Sequence, residues 1–178
     1  CLVGSEMCIR DSDMDKLFNL QKNMVEYYKG DAKRIQHFTK VHSFAKFIGL
    51  GENLDEHTQF ILESAALTHD IGIKISEEKY GDCNGRHQEI EGPAEAEKML
   101  NVLDYDGEDI KRICYLISHH HTYKDIDTID LQILIEADFL VNLYEDNATI
   151  GAINTAFSKI FKTNTGKYLC KVMYNLET

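Results

Sequence analysis

The sequence predicts a single all-α domain. Apolar residues recur three or four positions apart along almost the whole chain, which is the period of an α-helix. One proline, no tryptophan and few runs of β-branched residues also favour helices. The 178 residues suffice for one domain with a sizeable core, and no repeat or linker divides them. We therefore expect a helical bundle of about seven or eight helices over residues 14–178.

The first residues lack any helical or strand period. Residues 1–12 resemble the translated read-through of sequencing adapters that recurs in assembled metagenomic sequences. We expect residues 1–13 to be an artefactual or disordered tail, with a short native tail as the alternative. The natural start is then Met14.

The helices are assigned from apolar spacing and from residues that favour helix ends. Asp31 and Asp55 are expected N-caps, and Gly30 is expected to end the first helix. The segment from Ile73 to Arg86 is rich in turn residues and is expected to be an irregular loop. Expected helices cover residues 14–29, 32–48, 56–68, 93–103, 108–121, 129–145, 147–160 and 166–175.

Composition limits the class of protein. The formal net charge of −11 argues against a broad nucleic-acid-binding face. No apolar run is long enough to cross a membrane, and no signal peptide begins the chain. The cysteines form no CxxC pair and suggest no disulfide framework: Cys1, Cys8, Cys83, Cys114 and Cys170. We expect a soluble cytoplasmic protein whose partner is a small molecule rather than a nucleic-acid polymer or a membrane.

Several His and Asp residues fall on apolar helix faces. His37 lies on the stripe that contains Val41, and His69-Asp70 directly follows a run of small apolar residues. Asp138 shares its face with leucines and isoleucines. Burying an ionised carboxylate is expensive unless it is paired or bound to a metal. Pairing with a buried Arg or His is the alternative to a metal at Asp138.

The three consecutive histidines differ in direction. Relative to Ile113, His120 lies at about −20° around the helix, His121 at about +80° and His119 at about −120°. We therefore expect His120 and His121 to face the core and His119 to point away. The alternative is a polar helix end, where histidines interact favourably with the helix dipole. His87 is a further candidate, whereas the two remaining histidines, His42 and His57, are expected on the surface.

These side chains predict a metal site without cysteine ligands. Imidazole and carboxylate together suit Fe or Mn, with Zn, Co or Ni as alternatives. Seven candidates are too many for one tetrahedral zinc ion, whereas two divalent ions sharing the Asp70 carboxylate would use them. The candidate ligands are His37, His69, Asp70, His87, His120, His121 and Asp138.

This ordered pattern resembles that of the HD-domain superfamily of metal-dependent phosphohydrolases. The pattern H…HD…H…H…D corresponds here to His37, His69-Asp70, His87, His120 and Asp138, and the resemblance covers roughly residues 30–145. The apolar flanks match as well, as in Leu67-Thr-His-Asp-Ile-Gly72. The chain is most similar to the dinuclear branch, which includes bacterial diadenosine tetraphosphate hydrolases and cyclic-di-GMP phosphodiesterases. The Gly-Tyr-Pro signature of the latter is missing.

The resemblance implies hydrolysis of a phosphoester or phosphoanhydride, in a nucleotide, by a metal-bridging hydroxide. It assigns His37, His69, Asp70 and Asp138 to one ion, and Asp70, His87, His120 and His121 to the other. Asp70 is then catalytic. So is Lys74, which stands one residue beyond the lysine of dinuclear members and would contact phosphate. Arg86 and Tyr123 are candidate substrate contacts. Two alternatives are a di-iron HD oxygenase and a non-catalytic HD regulatory or binding module.

Overall fold

The computed structural model describes residues 3–124, 126 and 128–176, with side chains from residue 13 onward. Within these residues the chain folds into nine α-helices without strands, which confirms the all-α prediction. No described helix has both the length and the apolar composition that crossing a bilayer requires. The helices are α1 (Val3–Tyr27), α2 (Ala32–Gly51), α3 (Glu56–Thr68), α4 (Ile73–Tyr80), α5 (Gly85–Val102), α6 (Gly107–Ile117), α7 (Ile129–Glu145), α8 (Ile150–Lys159) and α9 (Asn164–Tyr174).

The centre of the fold consists of α2, α3 and α7. Helix α2 packs against both α3 and α7, and α6 and α1 cover other faces of α3. The cap predictions for α2 and α3 are confirmed, because the Asp31 and Asp55 carboxylates each accept a backbone N–H at 3.0 Å. Capping satisfies backbone donors that a helix start leaves free.

Helix α1 begins at Val3, before the expected start at Met14. Cys1 and Leu2 lie outside the described residues. The origin of residues 1–13 stays a prediction.

The expectation of a loop over residues 73–86 is wrong. Residues 73–80 form α4, which ends at Gly81 in the left-handed conformation with φ of 74°. Helix α5 begins at Gly85 instead of Pro93, because the Asn84 side chain accepts the N–H of His87 and caps the helix. Only residues 81–84 connect the two helices. A short helix with few buried residues carries too weak an apolar period to be recognised from sequence.

A buried carboxylate on α3 forms a polar cluster that contains none of the candidate metal ligands. Glu63 is 3% exposed and accepts hydrogen bonds from three side chains. We call these residues the Glu63 cluster: Glu63, His42, Gln59 and Lys46. His42 is therefore half-buried, in contrast to the expected surface position, whereas His57 is exposed as predicted.

Candidate metal centre

Four predicted ligands from three parts of the chain meet in the core. The Nε2 atom of His37, on α2, lies 3.3 Å from Asp70 Oδ2 and 3.2 Å from Asp138 Oδ1 on α7. The Nε2 atom of His69, at the end of α3, lies 3.4 Å and 3.6 Å from the same two oxygens. We call His37, His69, Asp70 and Asp138 the primary group.

Both imidazoles of the primary group turn the same nitrogen inward. The carbonyl of Ala66 accepts a hydrogen bond from His69 Nδ1 at 2.9 Å, and Glu145 lies 3.2 Å from His37 Nδ1. Acceptors at both Nδ1 atoms hold one proton there, so each Nε2 faces the carboxylates and presents a lone pair when the ring is neutral. The two Nε2 atoms are 3.2 Å apart. Lone pairs at this separation, beside two carboxylates, repel one another unless positive charge lies between them.

The electrostatics of the primary group favour that positive charge. Burial by itself lowers the pKa of His69, but the Asp70 and Asp138 carboxylates raise it well above its usual range. Burial raises the pKa of Asp70, and the neighbouring histidines more than reverse this and hold it well below its usual range. The pKa of Asp138 is lowered in the same way. The carboxylates are therefore ionised at neutral pH and attract either protons on the imidazoles or a metal cation.

A second set of predicted ligands lies on the other side of Asp70. The Nε2 atom of His120 is 3.7 Å from Asp70 Oδ1, and its Nδ1 donates to the Ile117 carbonyl at 2.7 Å. This Nε2 atom is fully buried without a hydrogen-bond partner. Ligand atoms of Asp70, His120 and His121 all lie within 4.8 Å of one another. We call these three residues the secondary group; Asp70 belongs to both groups and offers one oxygen to each.

His121 is held differently from the other histidines of the two groups. Its Nε2 lies 3.3 Å from Gln88 Oε1, and its Nδ1 lies 3.3 Å from the Tyr123 hydroxyl. Burial and the nearby His120 lower the pKa of His121 to about 4, so its ring is neutral at pH 7. A neutral ring is the form that ligates metals, but both of its nitrogens have hydrogen-bond partners here.

His87 does not join either group. Its Nδ1 lies 2.8 Å from Asp82 Oδ1, and its ring stacks on Tyr80 with 4.0 Å between ring centroids. His119 also stays apart, stacked on Tyr115 with 4.1 Å between ring centroids.

The three residues expected to contact substrate do not lie together beside the two groups. The Lys74 ammonium lies over the ring of Tyr27, 5.0 Å from its centroid. Arg86 is exposed. Tyr123 alone approaches the groups, through its contact with His121.

A pocket of about 300 Å³ opens onto both groups, and several of its walls were not identified from the sequence. Lys33 and Arg34 are its cationic residues, and Arg34 precedes His37 by one helical turn. That spacing on α2 was the available signal, since residues three apart share a helix face. Its full lining is Asp31, Lys33, Arg34, His37, Asp70, Ile73, Cys83, Gln88, His121, Asp138, Asn142, Glu145 and Asp146.

Close backbone packing holds the Asp70 turn in place. The Tyr28 hydroxyl on α1 donates to the Asp70 carbonyl at 2.7 Å. Gly72 lies against α5, and a Cβ atom there would come within 2.7 Å of the Gln88 carbonyl and the Gly92 nitrogen. Only glycine permits this approach, which brings Gln88 beside the pocket.

The residues present fit a divalent transition-metal cation. The buried His120 Nε2 has no hydrogen-bond partner, and the His37 and His69 Nε2 lone pairs converge with carboxylate oxygens. Histidine nitrogens held by backbone or carboxylate acceptors at the opposite ring atom are typical of metal ligands. Nitrogen and oxygen donors without a thiolate suit Fe, Mn, Zn, Co or Ni.

Comparison with solved structures supports this arrangement of helices. The chain superposes on a protein described as a predicted HD superfamily hydrolase from an uncultured Thermotogales bacterium, with a TM-score of 0.65. The match covers 88% of this chain and 84% of that one, at 24% sequence identity. The two proteins share a fold. No protein-family model matches the chain, and no curated protein matches it.

Proposed function

We propose that the chain is a metal-dependent phosphohydrolase that cleaves a phosphoester or phosphoanhydride bond in a nucleotide. The observation that carries this proposal is the convergence of three buried Nε2 atoms with two ionised carboxylates at the base of an open pocket. The structural neighbour bears the description of an HD superfamily hydrolase, which agrees with this chemistry. Bound divalent cations lower the pKa of a coordinated water and withdraw negative charge from phosphoryl oxygens.

We assign two ions, with Fe or Mn as the favoured metals. His37, His69, Asp70 and Asp138 would hold one ion, and Asp70, His120 and His121 the other. His87 is left out of this assignment because its ring atoms do not lie among the ligand atoms of either group. We also exclude Lys74, whose ammonium lies over the ring of Tyr27.

The charge of the pocket supports a requirement for cations. Its lining includes five carboxylates and only two cationic side chains, Lys33 and Arg34. A net charge of −3 repels a phosphate group, whereas two divalent cations reverse the sign. Lys33 would then contact further oxygens of a polyanionic substrate, whereas Arg34 is ion-paired with Asp31 and Glu77. Such a balance suits a nucleotide better than a neutral substrate.

The described cysteines, Cys83, Cys114 and Cys170, are free thiols. Free thiols suit a reducing compartment, and we propose the cytoplasm as the site of action.

Asp70→Ala tests the proposal directly, because Asp70 belongs to both groups. We expect the variant to lose bound metal and turnover against a panel of dinucleoside polyphosphates, deoxynucleotides and cyclic dinucleotides with Fe²⁺, Mn²⁺ or Co²⁺. The Tyr28 hydrogen bond uses the Asp70 backbone, so the turn keeps that support. His57→Ala, an exposed histidine, is the control.

Three results would contradict the assignment. Full metal content and activity in Asp70→Ala would exclude the proposed ligands. Turnover that stops without dioxygen would favour the oxygenase alternative. A wild-type protein without metal or hydrolysis would favour a non-catalytic module.

A further inference from the structure

The primary group needs no side-chain movement to accept a cation. Its two imidazoles already turn Nε2 toward the Asp70 and Asp138 carboxylates, because their Nδ1 atoms face the Ala66 carbonyl and the Glu145 carboxylate. Its carboxylate oxygens lie within 3.6 Å of those nitrogens. All of these donor atoms face one small volume.

The secondary group is not ready to bind a cation, because Gln88 occupies one ring nitrogen of His121. The Gln88 side-chain nitrogen donates to the Cys83 carbonyl at 2.6 Å, which orients the amide so that Oε1 faces His121. An amide oxygen only accepts, so His121 must carry its proton on Nε2. Its Nδ1 then accepts from the Tyr123 hydroxyl. In this tautomer neither nitrogen of His121 has a free lone pair.

Gln88 cannot easily move away from the secondary group. Gln88 is 6% exposed, and its backbone carbonyl packs against Gly72, two residues after Asp70. The imidazole nearest in sequence, His87, is turned to Asp82 and Tyr80. The amide therefore lies beside His121, where the resemblance implies His87 as a ligand.

We infer that the two groups load unequally: the primary group takes an ion without moving a side chain, and Gln88 keeps the secondary group closed until its hydrogen bond with His121 breaks. This inference rests on the proposed metal binding and adds the order in which the two ions bind. Opening the secondary group also requires the proton of His121 to move from Nε2 to Nδ1. The Nδ1–H group can then donate a hydrogen bond to the Tyr123 hydroxyl oxygen. The second ion therefore enters at higher free metal concentration.

Breaking one neutral hydrogen bond lowers an equilibrium constant by about 2- to 10-fold. The missing histidine on α5 weakens the second ion further, since Asp70 and His120 alone remain as unblocked ligands. We therefore expect dissociation constants for the two ions that differ by at least about tenfold.

The test is titration of the metal-free full chain with Mn²⁺, with free Mn²⁺ followed by electron paramagnetic resonance. Wild type is expected to bind one ion tightly and the second in a separate, weaker phase. Gln88→Ala frees His121 Nε2 and is expected to strengthen the weaker phase about 2- to 10-fold without changing the first. Gln88→His supplies an additional imidazole and is expected to strengthen it more.

Gln59→Ala is the matched control, because Gln59 is another buried glutamine that hydrogen-bonds outside both groups. Neither phase should change in this variant. Nitrogen-detected NMR of the metal-free protein gives an independent readout: His121 should carry its proton on Nε2 in wild type and shift toward Nδ1 in Gln88→Ala. A merely structural role of Gln88 would not move this tautomer.

Each outcome decides between the two proposals. Two equivalent ions in wild type would overturn the inference while keeping the proposed metal site. An unchanged weaker phase in both Gln88 variants, or a His121 proton on Nδ1 in wild type, would also overturn it. If wild type binds one ion over the accessible range of Mn²⁺ concentration and Gln88→His binds a second, the inference is supported. No Mn²⁺ binding at all would overturn the metal-dependent function itself.

Discussion

Replacing Glu145 by glutamine should weaken metal binding at the primary group although Glu145 is not one of its ligands. One carboxylate oxygen of Glu145 lies 3.2 Å from His37 Nδ1, and the other accepts from the Lys40 ammonium at 2.5 Å. Burial raises the pKa of Glu145, but the hydrogen bonds from Lys40 and His37 lower it below its usual value. Glu145 is thus an anion at neutral pH that holds His37 in the ligating tautomer.

A glutamine cannot serve both neighbours of Glu145. It has one acceptor oxygen, and Lys40 and His37 each require an acceptor. If the amide oxygen turns to Lys40, the amide N–H groups face His37 Nδ1 and move its proton to Nε2, where it blocks the metal. Loss of such a contact behind a metal ligand weakens affinity about 10- to 100-fold, which corresponds to about 1.4–2.7 kcal/mol.

Mn²⁺ titration against a competing chelator measures this change, and NMR of the His37 nitrogens reports the tautomer. Asp146→Asn is the matched control because it removes one negative charge from the same pocket wall. Lys40→Met combined with Glu145→Gln should restore part of the affinity, since the amide oxygen can then turn to His37. Equal affinities in Glu145→Gln and Asp146→Asn, or no rescue by Lys40→Met, would refute the reasoning.

Two further predictions concern stability. Gly72→Ala places a methyl group 2.7 Å from the backbone of Gln88 and Gly92 and should cost about 1–3 kcal/mol, a drop in Tm of about 3–10 °C. Thermal unfolding measures it, and Gly151→Ala, with open space around its Cβ position, should not lower Tm. Glu63→Gln should cost about 1–3 kcal/mol at pH 7 in urea unfolding. Burial raises the pKa of Glu63, but the hydrogen bonds of the Glu63 cluster outweigh this and lower it. The charged form therefore stabilises the fold above the unfolded pKa of about 4.3, and this is lost as pH falls through the folded pKa. The gap between variant and wild type should narrow at low pH; a constant gap would contradict this sign.

The spacing of apolar residues along the sequence predicted much of the architecture. The bounds of α3 and α7 agree with the expected helices to the residue, because long apolar periods define both helices and the Asp55 cap defines the start of α3. The same phase argument places His37, His69 and Asp138 on buried faces, and the structure brings them together with Asp70. A side chain on the buried face of a helix has few directions available, so periodicity alone was sufficient.

The choice between His87 and Gln88 shows where local pattern fails. Each residue turns a helix by about 100°, so the phase of the buried stripe applies to residues 87 and 88 only when the helix is known to begin before them. The proline at position 93 suggested a late start, whereas Asn84 caps α5 nine residues earlier. An early start turns Gln88 inward and His87 outward.

The sequence by itself therefore predicted the fold class and the buried positions of His37, His69 and Asp138, since these depend on the period within single helices. Only the tertiary structure decided which partners set their protonation and access. Glu145 on α7 reaches His37 and Lys40 on α2 across the α2–α7 contact, and Gln88 reaches His121 from a helix that packs against α6. Hydrogen bonds between helices depend on relative positions to a fraction of an ångström, and no periodicity within one helix encodes them.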